Sequence, residues 1–108
     1  MEIDREFLKG SISLLLLNLL SRGEMYGYEI LQEASRRSAN AFEFKEGTLY
    51  PALHKLEKEG LVESFDGTEN NRSRRYYRLS MAGRSALAKD RAEWRELSRA
   101  VTLILEGA

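Results

Sequence analysis

Arg72, Arg74, Arg75 and Arg78 fall within seven residues, and no acid interrupts them. Guanidinium groups present a planar fork of donors that matches the oxygens of a phosphate. Just upstream, Thr48, Pro51, His54, Lys55 and Lys58 lie away from an apolar stripe made by Leu49, Leu53 and Leu56, and Tyr50 sits on its flank. A threonine hydroxyl bonds a phosphate or touches a thymine methyl, a tyrosine hydroxyl reaches phosphate, and lysines neutralise it. The chemistry these types and spacings offer is recognition of a nucleic-acid backbone and its base edges. Bond-making chemistry finds little support. There is one histidine and no cysteine, so thiolate and multi-histidine metal sites are excluded. No phosphate-binding glycine loop, nucleophile elbow or metal-ligand spacing occurs. No catalytic residue, metal or cofactor is expected.

The elements that must position these groups follow from periodicity. Asp4 to Leu20 reads as a helix carrying Leu8, Ile12, Leu15, Leu16 and Leu19, with Leu14, Leu17 and Leu20 widening the apolar face. A helix apolar around most of its circumference is buried on several sides. Gly23 is its left-handed stop. Tyr26 to Ser38 reads as a second helix with Ile30, Leu31 and Ala34 inside. Gly27 near its start implies a close backbone approach, either by another helix or by a phosphate at the helix N-terminus. Ala39 to Phe44 reads as a turn. Glu46 to Glu59 is the third helix, ended by Gly60, with Pro51 stiffening its beginning. Leu61 to Phe65 and Arg74 to Ser80 are strands, joined through Asp66-Gly67 and Asn70-Asn71 by a connection longer than a tight hairpin. Met81 to Leu105 is a long last helix capped by Ser80.

A helix with a basic outer edge that leads into an Arg-rich hairpin suits a winged helix-turn-helix, a mainly α chain with a small β-hairpin (α+β). Residues 1–80 would form this unit, and 81–108 a C-terminal dimerisation helix. In that helix Leu87, Trp94 and Val101 are spaced by seven, as are Leu97 and Ile104. This approaches a coiled-coil seam, with Asp90 its polar exception. A chain of 108 residues is one domain, and at this size folding buries roughly 60–70% of the unfolded surface, so the core is modest. A second subunit would add to it. The net charge is zero, which argues against indiscriminate coating of nucleic acid and leaves local charge to decide. The apolar run from Leu14 to Leu20 is short of the about 20 residues that span a bilayer. The acids before it do not suit a signal peptide. A cytoplasmic protein without a membrane role is expected.

Four segments, in this order and spacing, resemble the PadR family of transcriptional regulators. They are Tyr26-Gly27-Tyr28-Glu29-Ile30, Gly47-Thr48-Leu49-Tyr50-Pro51-Ala52-Leu53, Leu56-Glu57-Lys58-Glu59-Gly60-Leu61-Val62 and Arg74-Arg75-Tyr76-Tyr77-Arg78-Leu79. The resemblance covers nearly the whole chain and implies a bacterial, cytosolic winged-helix dimer that represses transcription. It implies that the third helix reads the major groove, the hairpin is the wing and the last helix makes the dimer. Ending at Ala108, the sequence is similar to short-tailed members with one dimerisation helix. It departs from them at Asn71-Arg72-Ser73-Arg74, where the family often has Gly-Arg-Pro-Arg.

Tyr26, Thr48, Tyr50, His54, Lys55, Lys58, Arg72, Arg74 and Arg75 are therefore the candidate DNA contacts. Each has a plainer role beside it: a helix cap for Thr48, a solvated surface for His54 and the lysines, protein packing for one of Arg74 and Arg75. Of Tyr26 and Tyr28, one is expected at a phosphate and the other in the core. Leu87, Trp94, Leu97, Val101 and Ile104 are the candidate dimer interface. Trp94 also suits a second role, as one of two facing plates around a planar aromatic effector, as some short-tailed multidrug-responsive relatives suggest. Leu97, Asp90, Leu8 and Ile12 would line the same place. The expected partners are a pseudo-palindromic double-stranded operator, a second copy and such an effector. The rival reading is a winged-helix module that docks proteins and does not bind DNA.

Overall fold

In the computed structural model, residues 10–107 are described. Their elements are α1 (Ile12–Leu20), β1 (Met25–Tyr26), α2 (Gly27–Arg37), α3 (Glu46–Lys58), β2 (Val62–Glu69), β3 (Arg72–Leu79) and α4 (Met81–Leu105). The three strands form one antiparallel sheet in the order β1-β3-β2. The α+β winged-helix fold read from the sequence is the fold observed.

The leucine-rich face of α1 lies at the centre. Leu16, Leu17 and Leu20 are fully buried against Ile30 of α2, Leu49, Leu53 and Leu56 of α3 and Val62 of β2. Each such side chain contributes about 1.5–3 kcal/mol relative to leaving it in water. Tyr77 and Leu79 alternate onto the inner face of the sheet and join them. Burial raises the Tyr77 hydroxyl above its ordinary range, helped by the Glu57 carboxylate. Phe44, assigned to a turn by the sequence, is also core.

Three boundaries differ from the sequence reading. The first helix does not run unbroken from Asp4: Gly10 and Ser11 form a turn and the helix starts at Ile12, while Asp4 and Leu8 lie outside the described residues. Strand β1 carries no alternation signal because it is two residues long. It exists because Met25 and Tyr26 pair with Tyr77 and Tyr76. The connection between β2 and β3 is not long. The strands pair as far as Glu69 and Arg72, leaving only Asn70 and Asn71 to turn, with φ of 51° and 63°. Left-handed φ at both central residues is what a two-residue hairpin with right-handed strand twist requires. Gly67 thus lies in a strand, where the Tyr76 ring covers the place a Cβ would occupy.

Helix α4 starts where Ser80 accepts a hydrogen bond from the Gly83 N–H at 3.0 Å and donates one to the Gly60 carbonyl at 2.6 Å. Leu87 then enters the core. Beyond it the helix stands off the body: at about 1.5 Å per residue its 25 residues extend roughly 37 Å. The molecule measures 56 × 30 × 21 Å accordingly.

Candidate nucleic-acid interface

Leu49, Leu53 and Leu56 anchor α3 and so decide what it shows to solvent. His54, Lys55 and Lys58 are exposed on the opposite side together with Pro51, and Thr48 is half-buried in the first turn. Lys55 and Lys58 also sit in the last turn, where they complement the negative end of the helix dipole.

The tyrosines are arranged differently from the sequence expectation. The phenol end of Tyr50 packs against Gly27 so closely that a Cβ there would overlap its hydroxyl. The close approach at Gly27 is therefore made by a side chain of α3, and Tyr50 is half-buried at the start of α2. Tyr26 is half-buried in the sheet, its N–H bonded to Glu29 Oε1 at 3.0 Å. The exposed member of the pair is Tyr28, at 58%. Sequence gave no means of choosing between the two, because the choice depends on the pairing of β1 with β3.

The wing has two distinct faces. On the outer face the Tyr76 ring stacks on Phe65 and meets Tyr26 edge-on, with both pairs of centroids 5.5 Å apart. The Arg74 guanidinium lies over Tyr26 at 5.0 Å and that of Arg78 over Phe65 at 4.8 Å. Such cation–π contacts are worth about 0.5–1 kcal/mol at exposed sites. Arg74 Nε is buried there without a hydrogen-bond partner among the described residues. On the inner face Arg75 donates to Asp66 Oδ1 at 3.0 Å and to Ser64 Oγ at 2.8 Å, and Ser64 donates in turn to Glu57 of α3. Arg78 also pairs with Glu63, at 3.3 Å. Of the four wing arginines, Arg75 and Arg78 face carboxylates of β2, while Arg72 at the tip and Arg74 have no ion pair among the described residues.

The residues assigned to the far end of the molecule divide as well. Leu87 belongs to the chain's own core, which removes it from an intersubunit seam. Trp94, Leu97, Val101 and Ile104 are exposed, as are Leu103 and Leu105. A groove of about 890 Å³ opens between α1 and α4, lined by Trp94, Leu97, Asp90, Glu93, Leu14 and Phe42 among others. Trp94, Leu97 and Asp90 are brought together as expected. Ile12 packs against the core and is absent from the groove lining. Leu8 lies outside the described residues. No cluster of three metal-ligating side chains occurs among the described residues, and no helix among them is long and apolar enough to cross a membrane.

A buried helical trio whose last member shows a polar face beside a two-stranded wing defines a winged helix-turn-helix protein. Residues 16–89 match the profile of the transcriptional regulator PadR-like family, and the chain belongs to that family. Its members are transcriptional regulators and not enzymes. The chain is 40% identical over 97 residues to the transcriptional regulator Rv3488 of Mycobacterium tuberculosis, covering 90% of this chain and 88% of the relative. A transcriptional regulator from Clostridium thermocellum superposes with a TM-score of 0.83 at 31% identity, covering 90% of this chain and 95% of that one. A PadR-like regulator from Bacillus cereus superposes with a TM-score of 0.84 at 28% identity, over 95% and 99% of the two chains.

Proposed function

We propose that this PadR-family regulator is a homodimeric repressor that binds a pseudo-palindromic operator through α3 and the wing. The carrying observation is the shared exposure of His54, Lys55 and Lys58 on α3 beside a wing whose Arg72 and Arg74 have no ion pair among the described residues. Thr48 and the α3 cations supply the groove contacts in this reading, with Arg72 and Arg74 on the adjoining phosphates. Tyr28, exposed at the start of α2, replaces Tyr26 as the tyrosine at a phosphate. Dimerisation through the exposed stripe of α4 sets two α3 helices on successive major grooves, about 34–36 Å apart. Bound across a promoter, such a dimer blocks transcription by occupancy.

Fluorescence anisotropy with the duplex upstream of the protein's own gene, across a salt series and against an unrelated duplex, tests this. Tight, salt-sensitive binding that prefers the upstream duplex is expected, and Arg74→Ala should lower the salt slope by about one. Salt-insensitive binding to a protein surface through α3, with no DNA binding, would instead establish the docking module.

The groove at Trp94 favours a second element, release by a planar aromatic effector held between the subunits. Its apolar lining and the half-exposed indole support it. Release requires the effector to bind one dimer spacing more tightly than the other. Quenching of the single tryptophan by planar aromatic dyes, lost in Leu97→Arg, is the expected result.

A further inference from the structure

The wing extends beyond the part of the sheet that supports it. Strand β1 pairs with β3 only at Tyr76 and Tyr77, so from Arg75 to the tip the wing is a two-stranded ribbon. Two-stranded ribbons twist most and are marginally stable alone. Side chains must therefore fix the angle between the ribbon and α3, and one chain of hydrogen bonds crosses that gap. Arg75 Nη2 donates to Ser64 Oγ at 2.8 Å, and the Ser64 hydroxyl donates to Glu57 Oε2 on α3. Arg75 Nη1 donates to Asp66 Oδ1 at 3.0 Å, which holds the guanidinium in place from the other side. The two links through Ser64 point the same way, from a cation on the wing to a carboxylate on the helix. Glu57 and Ser64 are both half-buried at the junction of α3 and β2.

We propose that Arg75 is a positioning residue: acting through Ser64 and Glu57, it sets the wing's angle to α3 and does not itself touch DNA. The inference rests on the DNA-binding reading above. It divides the wing arginines by task, with Arg72 and Arg74 meeting phosphate and Arg75 holding the ribbon that carries them. Arginine is required because only its fork reaches Asp66 and Ser64 together.

Three variants separate positioning from direct contact: Ser64→Ala cuts the chain without changing charge, Arg75→Lys keeps the charge without the fork, and Arg75→Ala removes both. Anisotropy is measured for each on the upstream and the unrelated duplex across a salt series. Positioning predicts that all three bind the upstream duplex about threefold to tenfold more weakly. It also predicts an unrelated-duplex affinity and a salt slope equal to wild type, and a Ser64→Ala/Arg75→Ala double variant no weaker than either single one. The exposed ion pair contributes little to stability, so melting temperatures stay near wild type, and Ser64→Ala serves as the mildest change. Direct phosphate contact predicts the reverse: Arg75→Ala weakens both duplexes alike and lowers the slope by about one, while Arg75→Lys and Ser64→Ala match wild type. That pattern, or variants indistinguishable from wild type, overturns the inference. Wild-type protein that binds neither duplex overturns the DNA reading itself.

Discussion

Gly83 shows how one residue holds two elements together. A Cβ added there would overlap the backbone carbonyl of Leu61, which is fixed by its place at the start of the sheet. Gly83→Ala gains about 1 kcal/mol of helix propensity. It should nevertheless destabilise the protein by about 1–3 kcal/mol, because overpacking against backbone cannot be relieved by a rotamer change. Urea unfolding midpoints check this. Glu33 offers a residue-level test by pH. Hydrogen bonds from Arg36, and then Arg37, hold its carboxyl down at about 2 from an ordinary 4.5, against an opposing desolvation effect. A carboxyl depressed in the folded state contributes stability above its unfolded pKa and loses it as pH falls. Wild-type stability should therefore fall more steeply than that of Glu33→Gln between pH 4.5 and about 2. Because the pair is exposed, the difference should shrink in high salt.

At the scale of elements, the wing and the last helix depend on local chemistry at their ends. Asn71 holds φ of 63°, which asparagine tolerates and glycine adopts without cost. Asn71→Gly should stabilise the hairpin by a few tenths to about 1 kcal/mol, since Asn-Gly suits this two-residue turn. A rise in melting temperature with unchanged DNA affinity is the expected result. Ser80 caps α4 and also ties it to Gly60. Ser80→Ala should cost about 1 kcal/mol in denaturant unfolding, the usual loss for an N-cap serine. Both elements were legible in sequence, though the wing was read as shorter and looser than it is. Asp66-Gly67 carries a turn signal as strong as Asn70-Asn71, and only pairing with Arg74 and Arg75 places it in a strand.

For the whole molecule the unresolved cost is the apolar side of α4. Val101 and Ile104 are 42% and 82% exposed, and Trp94 and Leu97 more than half. Water against a stripe this long is unfavourable, and a second copy of the chain covers it in the proposed dimer. Val101→Glu should shift the protein to monomer in sedimentation velocity. It should also abolish the dependence of melting temperature on concentration that a dimer shows. Loss of the dimer would weaken operator binding far more than binding to unrelated DNA, because only the specific site needs both α3 helices at once.

The sequence by itself determined the order of elements, the stripe Leu49, Leu53 and Leu56 that orients α3, and the concentration of arginines on one hairpin. These are properties of period and neighbourhood along the chain, and a period survives in one dimension. Tertiary structure decided the rest. The pairing of β1 with β3 leaves Tyr26 half-buried beside the Tyr76 ring and Tyr28 exposed. The approach of Tyr50 explains Gly27. Register across the wing gives Arg75 to Asp66 and Ser64, and Arg74 to Tyr26. Folding of the first turns of α4 onto the body draws Leu87 into the core and leaves the rest of its heptad outside. In each case the deciding contact joins residues far apart in the chain, and identical side chains one position apart were assigned opposite partners by the alternation of a strand.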